Sequence, residues 1–94
     1  MKEPTATEEL VFTKHATDVM AERRIDEKLV RETLTSPDLI QRQPDGTTHC
    51  IRMFADRGGR WLRVVIAASG AQRKVVTVFF DRRLRGRRAH HAGP

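Results

Sequence analysis

The sequence reads as one α+β domain: two N-terminal helices packed on an antiparallel sheet of three to five strands. Three observations predict this. Before Pro37 the apolar residues recur at helical spacing, and after it they alternate at strand spacing. Turn signals at Pro44-Asp45-Gly46, at Asp56-Arg57-Gly58-Gly59 and at Ser69-Gly70 separate the alternating runs, as in hairpin-linked strands. A chain of 94 residues also has room for a single domain with a small core, because it buries only roughly two-thirds of its unfolded surface.

Residues 1–9 form an acidic arm with little to bury and are expected to be flexible. Leu10-Val11-Phe12 follows as a short apolar segment, and Thr13 can cap a first helix running to about Arg24, with Phe12 just before the cap. Asp26 caps a second helix. Ile25 before it and Val30 four residues after it have the spacing of a hydrophobic staple, and Leu29, Val30, Thr33 and Leu34 supply an apolar stripe. Pro37 ends that helix, since the residue before a proline is biased away from helical geometry. Strands are expected over 39–43, 48–54 and 61–67. In the second of these, Ile51 and Met53 oppose Cys50, Arg52 and Phe54; in the third, Leu62, Val64 and Ile66 oppose Trp61, Arg63 and Val65. Val75-Val76-Thr77-Val78-Phe79-Phe80 is apolar on both faces, the mark of a central strand over 73–81. The domain therefore spans 10–81, and 82–94 is a basic, arginine-rich tail.

Hydrophobic residues at 38% and charged residues at 32% suit a folded, soluble protein. No apolar run approaches the roughly 20 residues of a membrane span. The start MKEPTATEEL lacks the apolar segment of a secretory signal. The single Cys50 excludes an intramolecular disulfide and a multi-cysteine zinc site, so the cytoplasm is the expected compartment. The net charge of +6 is uneven: residues 1–47 carry −3 and residues 48–94 carry +9. Fourteen of the 18 cations are arginines, the side chain best suited to bidentate phosphate and carboxylate recognition. A polyanionic partner, either nucleic acid or an acidic protein, is expected; the bland alternative is solubility plus a cationic tail.

The most informative local feature lies in the first helix. At roughly 100° per residue, Phe12, Ala16, Val19 and Met20 fall on one stripe centred near the direction of Arg23, with His15 at its edge. An arginine along a core-facing stripe breaks a local rule, and such breaks mark functional or strained sites. The alternative is a helix frayed by Glu22, with Arg23 a C-terminal cation complementing the helix dipole. As a pair, His15 and Arg23 would set an imidazole titrating near neutrality beside a fixed cation.

On the strands, Arg52 and Arg63 fall on the same type of face and make a candidate two-arginine phosphate clamp, against a plain solvent-facing side. Thr77 is the one hydroxyl of the last strand, and it also reads as a buried threonine that satisfies itself. His49, near a strand end, carries little weight. Arg82, Arg83, Arg85, Arg87 and Arg88 form either a backbone-binding arm or a solvated tail. His90 and His91 are too few and too terminal for a metal site. No glycine-rich phosphate loop, paired-carboxylate motif or HExxH occurs, so neither metal nor cofactor is expected.

Phe12-Thr13-Lys14-His15-Ala16, Met20-Ala21-Glu22-Arg23-Arg24-Ile25, Leu34-Thr35-Ser36-Pro37-Asp38, Leu62-Arg63-Val64-Val65 and Val75-Val76-Thr77-Val78 together resemble the family described as domain of unknown function 4258. Its members read roughly FTxHAxxRMxERxI, LxxP, LxVV and VxTVY, and the resemblance covers about residues 10–81. That family is similar in turn to the RelE/ParE-like toxins, small α+β proteins within a wider group of ribonuclease folds. The resemblance therefore implies a RelE-like fold and toxin-type activity on RNA, and it places the family's polar signature on His15, Arg23 and Thr77. One departure stands out. Where members often end the last strand with an aromatic hydroxyl, this chain has Phe79-Phe80 and no tyrosine anywhere, which excludes a tyrosine-dependent version of RelE-type chemistry.

Cleavage of RNA by its own 2′-hydroxyl needs a group to take that proton, a group to protonate the leaving oxygen, and cations for the phosphorane. A histidine, with an ordinary pKa near ~6.5, suits either proton-transfer role, and arginines supply the electrostatic stabilisation. The reading is a metal-independent endoribonuclease with His15 as general acid or base and Arg23, Arg52 and Arg63 on phosphate. Thr77, Arg82, Arg83 and Arg85 are further candidate nucleic-acid contacts. No second acid/base stands out; Lys74 and Asp81 are the nearest candidates. Two other classes stay open: a non-catalytic RNA- or DNA-binding module in which Trp61 stacks a base, and a domain that docks an acidic protein such as an antitoxin. With 5% aromatic residues, an extended stacking platform is disfavoured.

Overall fold

Thr13 and Asp26 open the two helices in the computed structural model, which describes residues 9–84. Helix α1 spans Lys14–Arg23, and Thr13 Oγ1 accepts from the Ala16 N–H at 3.1 Å. Helix α2 spans Glu27–Thr35, and Asp26 Oδ1 accepts from the Leu29 N–H at 3.0 Å. Each cap satisfies one of the N–H groups that a helix leaves orphaned at its start. Between the helices the chain reverses at Arg24, the one non-glycine residue with positive φ (58°) among the described residues. The Arg24 N–H donates to Ala21 O and the Ile25 N–H to Met20 O, at 3.4 and 2.9 Å. This is the bonding of a Schellman motif, with arginine where glycine is usual. The reversal carries Ile25 into the core.

Five strands form one mixed sheet in the order β1-β5-β4-β3-β2. They are β1 (Glu9–Phe12), β2 (Leu39–Arg42), β3 (Thr47–Phe54), β4 (Arg60–Ser69) and β5 (Gln72–Phe80). Strands β2 to β5 pair antiparallel with their sequence neighbours, as the turn signals predict. The first strand corrects the expectation of a purely antiparallel sheet. β1 runs parallel to β5, with Phe12 beside Val75. Parallel partners need a long crossover rather than a hairpin, and here that crossover includes both helices, so no turn signal announces the pairing. β5 is interior, as its two-sided apolar run predicts, although β4 is the middle strand.

Both helices cover the same face of the sheet. There Cys50 and Phe54 of β3, Leu62, Val64 and Ile66 of β4, and Val75 and Val78 of β5 pack against Ala16, Ile25, Leu29 and Val30. Full burial of a valine or leucine side chain is worth roughly 1.5–3 kcal/mol, so this layer holds the domain together. Val75 and Val78 share that core although they stand three apart, a spacing that puts residues of a regular strand on opposite faces. A bulge resolves the parity. Val65 pairs with Thr77 and Ile66 with Val75, which leaves Val76 as an extra residue in β5.

The strain at Arg24 gives a direct test of the reversal. Arg24→Gly should relieve the left-handed conformation and stabilise the fold by about 1 kcal/mol. In a thermal melt that is a rise in Tm of roughly 4–8 °C for a domain of this size. A lower Tm would mean that the Arg24 side chain itself holds the turn.

Candidate functional site

The bulge at Val76 is also where α1 meets the sheet. The Thr13 N–H donates to Val75 O and its hydroxyl to Val76 O, both at 3.1 Å, while the same Oγ1 caps the helix. Two residues on, His15 stands exposed with its Nε2 3.2 Å from Thr77 Oγ1. The two residues are 62 positions apart in the chain. Thr77 directly follows the extra residue, and re-aiming a side chain is what a bulge does to a strand. The contact works in either charge state of the ring: in the neutral ring Nε2 accepts from the threonine hydroxyl or donates to it according to the tautomer, and in the protonated ring it donates. His15 Nδ1 has no partner among the described residues.

Arg23 does not project towards the sheet. It lies exposed in the last turn of α1, because the reversal at Arg24 gives the core-facing position to Ile25. The expected arginine clamp does not form either. Arg52 pairs with Leu62 and Arg63 with Ile51, so the two guanidiniums leave opposite faces of the sheet. Arg52 donates instead to Ser36 O at 2.7 Å, just past the end of α2, and lies over the Phe54 ring at 5.4 Å. The alternation along each strand was legible, but the register that decides which faces match was not.

Arg63 is 6% exposed and fully engaged. Its Nε and Nη2 donate to Asp81 Oδ2 at 2.9 and 2.6 Å. Its Nη1 donates to Gln41 Oε1 at 3.1 Å and to His49 Nδ1 at 2.9 Å. Asp81 also accepts from Arg83: the backbone N–H and Nε reach Oδ1 at 3.0 and 3.1 Å, and Nη2 reaches Oδ2 at 3.0 Å. The Arg83 hydrogen bonds, seconded by Arg63, hold the Asp81 carboxyl well below the usual carboxylate range despite its burial. Asp81 is therefore an ionised anchor at neutral pH and not the second proton-transfer group. Arginine cannot accept a hydrogen bond, so His49 Nδ1 must be the acceptor and the ring neutral, with its proton on Nε2. Burial first, then the Arg63 charge, push the His49 imidazole below its ordinary value. Nothing along β3 alone distinguishes His49; its role appears once β3 is set between β2 and β4, opposite Gln41 and Val65.

The chain after β5 is tied down at its start. Arg82–Leu84 form a single 3-10 turn, and Arg83 docks it on Asp81, where the sequence reads as free tail. Arg85, the rest of the basic tail and the acidic arm before residue 9 lie outside the described residues. Trp61 is 1% exposed and so offers no face to a base. Its indole N–H has no partner among the described residues. Beside it the Arg60 guanidinium lies 3.9 Å over the Phe80 ring, and Arg60, Trp61, Phe80, Asp81 and Arg82 line a pocket. Among the described residues, no group of three or more His, Cys, Asp or Glu side chains could hold a metal ion. No described helix is long and apolar enough to cross a membrane.

The family model described as domain of unknown function (DUF4258) matches residues 12–80. No curated protein and no solved structure matches the chain.

The Arg63–Asp81 pair and His49 make separate predictions. Asp81→Asn leaves a buried arginine without its counter-ion and should cost about 3–5 kcal/mol in denaturant unfolding. Arg83→Gln, which removes only an exposed arm of the network, should cost less than about 1 kcal/mol. For His49 the native state resists protonation, so the unfolded chain takes the proton first. Stability should be complete above the ordinary imidazole value of 6.5 and fall as pH drops through the lower native one. His49→Gln should make that fall shallower, and an unchanged slope would remove His49 from the linkage.

Proposed function

The chain belongs to the DUF4258 family, and from that premise we propose that it is a RelE-like, toxin-type domain that cleaves RNA without a metal, with His15 and Thr77 as its working pair. The observation that carries this reading is the 3.2 Å contact between His15 Nε2 and Thr77 Oγ1. It joins two of the three positions on which the resemblance places the family's polar signature.

His15 takes the proton of the attacking 2′-hydroxyl, the new O–P bond forms as the bond to the 5′-oxygen breaks, and the proton returns to that leaving oxygen. The products are a 2′,3′-cyclic phosphate and a 5′-hydroxyl end. Thr77 is a positioning residue: its hydroxyl oxygen accepts from Nε2–H, which fixes the plane of the imidazole and leaves the exposed Nδ1 without a proton, ready to take that of the substrate. Arg23, eight residues along α1, stands about 12 Å away at 1.5 Å per residue. That distance suits a flanking phosphate rather than the scissile one. The +9 charge of residues 48–94 supplies the field that draws a polyanion to the domain.

Purified protein should cleave single-stranded RNA in the presence of a chelator and leave a cyclic phosphate. His15→Ala should lower the rate by about 10²-fold or more, the usual worth of a general acid or base, and Thr77→Val by about tenfold. A 2′-deoxy nucleotide at the cleaved position should block the reaction. Cleavage by His15→Ala at the parent rate, or of the deoxy substrate, would overturn the assignment.

A further inference from the structure

We propose that the pocket at the end of β5, lined by Arg60, Trp61, Phe80, Asp81 and Arg82, is a binding subsite for a phosphodiester of the RNA strand, separate from the His15–Thr77 pair. The proposal rests on the RNA-cleaving reading and assigns where a neighbouring phosphate sits.

Charge supports an anion here. Four arginines, Arg60, Arg63, Arg82 and Arg83, surround or adjoin one carboxylate, that of Asp81, and both its oxygens are already taken by Arg63 and Arg83. Arg60 and Arg82 are exposed, and neither side chain makes a hydrogen bond or ion pair with a described residue. The local surplus is positive, and the two arginines that carry it are unspent.

Geometry supports an oxyanion in particular. The central carbon of the Arg60 guanidinium lies 3.9 Å from the centroid of the Phe80 ring, a stacking distance. Stacking uses the face of a guanidinium and leaves its in-plane N–H edge for a bidentate acceptor such as phosphate. Trp61 adds an independent sign. Its buried indole N–H lacks an acceptor among the described residues, although buried donors are nearly always paired, and Trp61 is one of the residues that line the pocket. Phe80 stands three residues beyond Thr77 on the same strand, about 10 Å at strand rise and on the other face of β5, so an RNA strand passing around the end of β5 can reach both places.

The protein carries its own reporter, because Trp61 is its sole tryptophan. The full chain is titrated with a 2′-O-methyl oligonucleotide, which cannot be cleaved, and separately with inorganic phosphate and polyglutamate, while Trp61 emission is followed. The oligonucleotide should shift the emission saturably, and phosphate should compete. The Arg60→Gln/Arg82→Gln double variant should bind at least tenfold more weakly. Its slope of log K against log salt should be shallower by about 1.4, the value for two lost single-strand contacts. Arg82→Gln alone, at an exposed position, should give about half that change and guards against a folding defect in the double variant. His15→Ala should keep the shift while losing cleavage, so failure of the subsite and failure of the cleavage reading are seen separately. Unchanged oligonucleotide binding in both arginine variants would overturn the proposal. So would polyglutamate binding as tightly as the oligonucleotide, which would assign the pocket to an acidic protein.

Discussion

The bulge in β5 turns two consecutive carbonyls, those of Val75 and Val76, towards one residue, and Thr13 answers both. Its N–H and hydroxyl bind them while the same hydroxyl oxygen receives the first turn of α1. Thr13 is thus a helix cap and a sheet contact at once. Removing a capping hydroxyl alone typically costs about 1 kcal/mol; here it would also strand a carbonyl that the bulge has taken out of the ladder. The placement of His15 beside Thr77 follows from this joint, since each residue lies within two positions of one of its halves.

The two faces of the sheet are stabilised by different physics. Under the helices the contacts are apolar and hold by close packing. On the other side, Arg63 and Asp81 are both nearly dry, and their pairing tolerates little, because desolvated charges are stable only with their hydrogen bonds complete. Each of the three nitrogens of the Arg63 guanidinium is engaged, and the acceptors come from three places: Gln41 on β2, His49 on β3 and Asp81 beyond β5. The network ties strands that are not neighbours, so it fixes the lateral order of the sheet as well as adding stability.

Much of this architecture was legible in the sequence, and what was not has a common cause. Thr13, Asp26, Pro37 and the glycine-containing turns act locally, and each marks its element where expected. The polar positions His15 and Thr77 were legible as residues. Their meeting was not, because it depends on one unpaired residue in a run of valines that reads as a regular strand. The same holds for Arg52 and Arg63: alternation places each on a face of its own strand, but only the pairing of Leu62 with Arg52 shows that the faces differ. Arg23 misled for a related reason. Helical periodicity projects it inward, but Arg23 is the last helical residue, and the left-handed Arg24 that follows, which no composition rule predicts at arginine, reverses the chain so that Ile25 takes the core position instead.

The parallel pairing of β1 with β5 has a consequence for how the chain comes into being. The first of the five described strands has as its sheet neighbour the last of them, and Thr13 waits for a carbonyl 63 positions downstream. On the ribosome the hairpins from β2 to β4 can form as they emerge, since their contacts are close in sequence, whereas the β1–β5 closure carries the largest loop entropy and comes late. Thr77 reaches His15 only with that closure. A nascent chain is therefore without its His15–Thr77 pair until the 62 positions between them have been made, and acquires it in the single step that closes β1 on β5.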